Sequence, residues 1–308
     1  MNNAEIPATE GRIRDFAELV AAAPRGIKVA VAGACDEVVL DAVKRAVESG
    51  IVSGGVLAFT REGFEGLALE KGLGGFEFLY GKDDRDAADK AVDAVRLGRA
   101  GVLMKGFVQT KDFMRSVLDK EKGLGTGNVL SQVGIYHIEA LGKLVLMADV
   151  GICITPDLAQ KVQIVKGAAS VARALGIKRP KVAALSSVEV VNPSIPGSED
   201  ARELKTMADG GLLGELDMDG PLALDNAVSL EAAHHKGIDS KVAGQADILL
   251  APDLNSGNMM AKAAVYFAGA KAAGIVTGAR CPIVLTSRAD SDETKFYSIA
   301  AASFLWAV

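Results

Sequence analysis

The chain has 308 residues, nearly half hydrophobic but only 5% aromatic, with 34 glycines and a formal net charge of −5. That length holds two ordinary domains or one large α/β unit. A mildly acidic chain with no run of five like charges has little field for holding nucleic acid, whose binding rests on phosphate neutralisation, and no apolar run approaches the ~18–20 residues of a membrane span.

From the amino end, residues 12–24 have amphipathic helical spacing, and Ile27–Ala32 predicts a first buried strand that ends at Gly33. A helix is expected over Asp36–Glu48, a strand at Gly55–Phe59, a helix at Asp86–Arg99 and a short strand at Gly101–Lys105. Strands of 4–6 residues alternating with helices of 10–15 predict a mainly parallel α/β sheet. The glycine-rich stretch Gly123–Gly127 reads as a hinge. Beyond it, Leu144–Met147 and Gly151–Ile154 are apolar segments, Leu158–Gly176 a long helix, Lys181–Leu185 a strand and Ser198–Ala208 a helix. Ala246–Leu250 predicts a strand, Gly257–Gly274 a small-residue helix, Pro282–Thr286 a last strand and Asp292–Val308 a closing helix.

Cys35, Cys153 and Cys281 are far apart and odd in number, so neither a disulfide framework nor a metal site is implied. Each lies in or beside an apolar run, so they read as buried free thiols. The first ten residues are polar and acidic, unlike a signal peptide. Together these features predict a reduced, cytoplasmic protein. His234 and His235 are adjacent and point apart on a helix, and His137 has no partner, so no metal is expected.

Ligands on parallel sheets collect beyond the carboxyl ends of strands. The turn after Ile27–Ala32 lacks the G-x-G-x-x-G spacing, and no Walker A sequence or G-x-S-x-G elbow occurs. The last strand is more informative, because it delivers Ser287 and Arg288 to the start of a helix, with Asp290 or Ser291 as N-cap. Helix N-termini favour anions, and a guanidinium holds phosphate by two hydrogen bonds. The alternative is a simple N-capped helix in which Arg288 pairs with Asp290 or Asp292. Asp225 and Asn226 lie inside the apolar stretch 219–227, either capping a helix or facing a substrate. The loop 252–258, ending in Asn258, opens a helix that could offer donors to an anion, and Arg115 sits on another helix beside Lys111.

Several motifs together carry a resemblance: Met104-Lys105-Gly106 with 110–118, Leu130-Ser131-Gln132-Val133, Val191-Asn192-Pro193, 219–227, Lys236-Gly237-Ile238, 242–247, 252–258 and Thr286-Ser287-Arg288-Ala289-Asp290-Ser291. In these the chain resembles the phosphate acetyl/butyryltransferase family nearly end to end, and its Leu-Ser-Gln-Val and Ser-Arg-Ala-Asp-Ser versions are more like the butyryl branch. The resemblance implies two α/β domains with an interdomain cleft, as in isocitrate and isopropylmalate dehydrogenases. Domain I would comprise 1–135 plus 277–308, and domain II would be the inserted 136–276. It further implies reversible acyl transfer between coenzyme A and phosphate, with coenzyme A as substrate, no cofactor or metal, and a homodimer. Ser287, Arg288 and Glu293 would be catalytic, while Arg115, Asp225, Asn226, Asn258 and Asp290 would bind substrate. The aspartate that acetyl-branch members carry seven residues after the serine is replaced here by Thr294. Glu293, the adjacent acid, is therefore the first candidate for the base.

Overall fold

The computed structural model describes residues 11–307; Met1–Glu10, the polar and acidic stretch noted above, lies outside them. In chain order the elements are α1 (Phe16–Ala22), β1 (Ile27–Ala32), α2 (Glu37–Glu48), β2 (Val52–Phe59), α3 (Phe64–Glu70), β3 (Glu77–Tyr80), α4 (Asp84–Arg96), β4 (Val102–Lys105) and α5 (Thr110–Val117). Next come β5 (Ser131–Ile138), β6 (Lys143–Ala148), α6 (Leu158–Ala174), β7 (Lys181–Leu185), α7 (Ser198–Asp209), β8 (Asp217–Leu222), α8 (Leu224–Val228), α9 (Leu230–His235), β9 (Ile248–Leu250) and α10 (Leu254–Tyr266). The chain closes with β10 (Lys271–Thr277), β11 (Ile283–Val284) and α11 (Asp292–Trp306). Two compact units result, one from Ala17–Asn128 with the segment from Ala273 onward, the other from Val129–Ala272 with the residues leading to Phe16.

In the first unit the strand order is β3-β2-β1-β4-β11-β10. All pairs are parallel except β10 with β11, which run antiparallel. β1 pairs on both edges and is covered on both faces, so Val29 to Ala32 are fully buried. α2 starts where Asp36 accepts the Val39 N–H at 3.1 Å, and it buries Val39, Leu40, Ala42, Val43 and Ala46, one stripe of a 3.6-residue period. The turns after β1 and β4 meet backbone to backbone. Gly106 N–H donates to Ala32 O (2.8 Å) and Phe107 N–H to Gly33 O (2.7 Å), and a Cβ at Gly106 would strike the Gly33 carbonyl. Only glycine fits there, and this approach fixes where Lys105 and Phe107 sit. α11 is capped by Ser291, which accepts the Thr294 N–H, and it is buried from Lys295 through Phe304. Of the two N-cap candidates the serine serves.

In the second unit the order is β5-β6-β9-β7-β8, with β5 antiparallel to β6 and the rest parallel. The helix expected over Gly257–Gly274 is shorter than its small-residue run. Residues 271–274, expected as the end of a helix, belong to β10: α10 stops at Tyr266, and Gly269 takes a left-handed φ of 61° that no helix accommodates. The apolar segment Gly151–Ile154 is a loop whose Gly151, Ile152 and Cys153 N–H groups all donate to buried Asp149. β5 and β8 were not anticipated. β8 carries Asp217, Asp219 and Pro221, which an edge strand tolerates because it pairs with β7 alone. The last predicted strand shrinks to Ile283–Val284, since Leu285 and Thr286 already turn toward the helix.

Candidate active site

In the first unit, β4 and β11 run parallel with Leu103 opposite Ile283 and Met104 opposite Val284. Continued, that register brings Leu285 abreast of Lys105, so the Ser287–Arg288 turn follows β11 on the side where the β4–α5 turn leaves β4. The turn is tightly tied. Ser287 N–H donates to Asp290 Oδ2 at 2.7 Å, Asp290 N–H to Ser287 O at 3.2 Å and Ala289 N–H to Ser287 Oγ at 3.3 Å. Lys295, 3% exposed in the first turns of α11, donates from Nζ to Ser287 O (3.1 Å) and Asp290 O (2.6 Å). A buried ammonium therefore braces the loop from beneath.

The alternative pairing of Arg288 is not what forms. Asp292 is taken by Arg45 at 2.7 Å and Asp290 by the Ser287 N–H, while the exposed Arg288 guanidinium reaches Gln109 Oε1 at 3.4 Å. It also lies 5.9 Å from the centroid of Phe107, a ring that Arg61 approaches to 4.7 Å. Lys105 completes the set. It is 2% exposed at the end of β4, and Nζ donates to Gly106 O at 3.3 Å. Burial, then the charges of Arg288 and Lys295, push its ammonium down to about 8, against the pull of Asp84 and Asp290. Lys295 is likewise lowered, chiefly by burial. Asp84 is itself held by the Gln109 N–H at 2.9 Å, at the start of α5. Three cations thus converge near one turn, with the N-terminus of a 15-residue helix beside them. Such a place attracts an anion.

Of the predicted site residues, the structure brings together Ser287, Arg288, Asp290 and Glu293 on one turn and the helix it opens. Glu293 Oε1 accepts the Tyr297 hydroxyl at 2.9 Å. Arg115 stands on α5 with its guanidinium largely exposed and Asp112 at 3.8 Å as its ion-pair partner. Asp225, Asn226 and Asn258 belong to the second unit.

There, α8 has Ala223 as N-cap with no side-chain bond, so Asp225 does not cap it. Asp225 instead pairs with Lys236 at 3.1 Å, and Lys236 also contacts Glu189 at 2.7 Å. Asn226 is fully buried and donates from Nδ2 to Glu189 Oε1 at 2.6 Å, while its Oδ1 has no partner among the described residues. Lys236 holds both Glu189 and Asp225 below the usual carboxylate range. The 242–247 motif has a structural cause: Gly244 N–H donates to Asn226 O at 2.7 Å and Ala246 N–H to Ala227 O at 3.1 Å, locking the Asp225–Asn226 turn. Asn258 ties α10 to the 150s loop through Val150 O at 3.1 Å. A cavity of about 380 Å³ lies elsewhere in this unit, at the amino ends of β6 and β7. Its Arg12, Lys143 and Lys181 are engaged with Asp247 and Gln245, and it is lined by none of the predicted site residues.

Sequence reasoning named Lys105 only within a motif and passed over Lys295, Gln109, Phe107, Arg61 and Glu189. A lysine ending an otherwise apolar strand, and one inside an otherwise apolar helix, were the available signals for the first two.

The chain matches the family described as phosphate acetyl/butaryl transferase over residues 81–303. It is 45% identical to the phosphate butyryltransferase of Clostridium acetobutylicum, covering 90% of this chain and 93% of that one. It is 41% identical to the phosphate acetyltransferase of Thermotoga maritima, covering 91% and 95%. Among solved structures it superposes on a branched-chain phosphotransacylase from Enterococcus faecalis with a TM-score of 0.81 and 34% identity, over 91% of this chain and 99% of that chain. With two buried lysines beside a Ser-Arg turn, and with likeness of this extent on both branches, this chain belongs to the phosphate acetyl/butyryl transferase family.

Proposed function

We propose that the protein is a phosphate acyltransferase whose preferred reaction is butyryl-CoA plus phosphate giving butyryl phosphate plus free CoA. The single observation that carries the reading is the Ser287–Arg288 turn, tied by Asp290 and Lys295 beside the buried charge of Lys105. A phosphate oxygen attacks the thioester carbonyl carbon, and the tetrahedral adduct collapses as the C–S bond breaks. The sulfur leaves as thiolate and collects a proton; in reverse the thiol gives that proton up. Arg288 binds the phosphate, and Ser287 hydrogen-bonds the reacting thiol or carbonyl oxygen. Preorganised charge of this sort contributes several kcal/mol to a barrier, and holding both substrates together removes much of the entropic cost. Glu293 is the first candidate to accept the thiol proton. Arg115, Asp225, Asn226, Asn258 and Asp290 are proposed to contact the substrates. No cofactor or metal enters this scheme, and coenzyme A is a substrate.

The acetyl reaction is the second reading, favoured by the 41% identity to an acetyltransferase. One methylene in a pocket is worth only about 1–3 kcal/mol of discrimination. Thiol release from acetyl-, propionyl- and butyryl-CoA, each with and without phosphate, decides among them. Release that ignores phosphate would make the protein a thioesterase, and no turnover of any acyl-CoA would leave a binding module. We place the protein in the cytoplasm, a reading supported by its three free cysteines and by the lack, among the described residues, of a helix long and apolar enough to cross a membrane. A homodimer is proposed on the exposed apolar residues of and after α10, Met259, Tyr266 and Phe267. A monomer by sedimentation at micromolar concentration would refute it.

A further inference from the structure

Lys105 is an unexpected residue for its position. Val102, Leu103 and Met104 ahead of it in β4 are fully buried and apolar, and a leucine or methionine would continue that pattern. A buried ammonium is expensive unless it is paired. Yet Nζ, with three N–H bonds to give, has the Gly106 carbonyl at 3.3 Å, and no carboxylate stands within ion-pair distance of it among the described residues. The nearby acids are spoken for: Asp84 by the Gln109 N–H at the start of α5, Asp290 by the Ser287 N–H. The other charges that reach it are the cations Arg288, on the β11–α11 turn, and Lys295, on α11. Thr286, next to Ser287, is buried as well, and its Oγ1 has no partner among the described residues. Unspent donors and surplus positive charge around one turn describe a site that a bound dianion would complete.

We propose that Lys105 is a positioning residue of the phosphate site, its buried ammonium adding to Arg288 the charge that draws and orients the phosphoryl group of the substrate. This rests on the phosphate acyltransferase reading. It also carries a consequence that a purely structural lysine would lack. Any anion stabilised by the ammonium stabilises the ammonium in return, since coupling between two binding events is reciprocal. The free enzyme holds Lys105 at about 8, so at pH 8 about half the molecules carry the proton. Inorganic phosphate, already almost wholly dianionic at that pH, then binds with uptake of about half a proton from buffer.

The test is calorimetric titration of the full chain with inorganic phosphate at pH 8 in two buffers of different ionisation enthalpy, alongside kinetics, for wild type, Lys105→Met and Lys105→Arg. The expected result is proton uptake in wild type only. In Lys105→Met the phosphate KM rises about tenfold or more, the size of a lost charged hydrogen bond, while the butyryl-CoA KM changes little. Lys105→Arg, which stays charged at every pH used, recovers phosphate affinity but takes up no proton. Wild-type binding without uptake overturns the proposal even if Lys105→Met does not fold, and so does a Lys105→Met enzyme with an unaltered phosphate KM. A wild type that binds no phosphate and turns over no acyl-CoA would instead overturn the acyltransferase reading on which the proposal stands.

Discussion

Replacing Lys105 by methionine should make the unliganded protein more stable while making it a worse enzyme. In the native state the ammonium is pushed from 10.5 down to about 8, with burial as the largest cause and the Arg288 and Lys295 charges next. At about 1.4 kcal/mol per pH unit, keeping the charge inside at neutral pH costs roughly 3 kcal/mol relative to the unfolded chain. Because the folded state binds its proton less tightly, the unfolded chain carries more protons between pH 8 and 10.5. The contribution of Lys105 to stability therefore rises with pH through that window and is flat below it. Methionine removes the charge and keeps the apolar stem, so at pH 7 the variant gains up to roughly 3 kcal/mol, read as a melting temperature several degrees higher. The gain should shrink through that window and vanish only above pH 10.5, where the wild-type lysine is neutral in both states. Thermal melts of both proteins at pH 6.5 to 10.5 without phosphate measure this. A variant that melts lower at pH 7, or a difference that does not shrink as pH rises, would refute the account of Lys105 as a strained buried charge.

Arg288→Ala should raise the phosphate KM at least about a hundredfold with the circular dichroism spectrum unchanged, because the guanidinium is exposed and its lost contact is with Gln109. Wild-type rates in that variant would remove Arg288 from the site. Lys295→Met takes two charged hydrogen bonds from the carbonyls of Ser287 and Asp290, worth about 1.5–3 kcal/mol each before the relief of burying an ammonium is deducted. A fall of about tenfold to a hundredfold in kcat/KM is expected, for phosphate and acyl-CoA alike; unaltered kinetics would mean the turn holds its shape without the brace. Glu293→Gln should slow the direction that consumes free CoA at neutral pH and recover as pH approaches the thiol value of about 8.5. A loss that stays constant across that range would move the proton-accepting role elsewhere.

The residues alone determined the alternation of strand and helix, and in places its limits. Ile27–Ala32 and Lys181–Leu185 form strands with the predicted bounds, because continuous aliphatic runs of that length suit strands covered on both faces. The start of α6 was equally legible, since Asp157 and Gln160 form a reciprocal cap ahead of an apolar run. Where composition is uniform the reading failed. The alanine-rich stretch 257–274 has no pattern that separates helix from strand, and the left-handed Gly269 decides it. β8 was hidden because its polar residues and Pro221 are admissible only at an edge, and edge position is a property of the assembled sheet.

The candidate site divides the same way. A serine and an arginine at a helix start are visible in the letters, with Asp290 or Ser291 as N-cap, and the structure chooses the serine. That two lysines 190 positions apart in sequence are both buried beside that turn is not visible, because burial depends on which elements pack over a residue. Gly33 and Gly106 bring the β1 and β4 turns into contact, and β11 then lays Leu285 alongside Lys105. Sequence thus supplied the candidate anion-binding pair, Ser287 and Arg288. Tertiary structure alone decided that the charge beneath them belongs to Lys105 and Lys295, since only packing can put an ammonium where water cannot reach it.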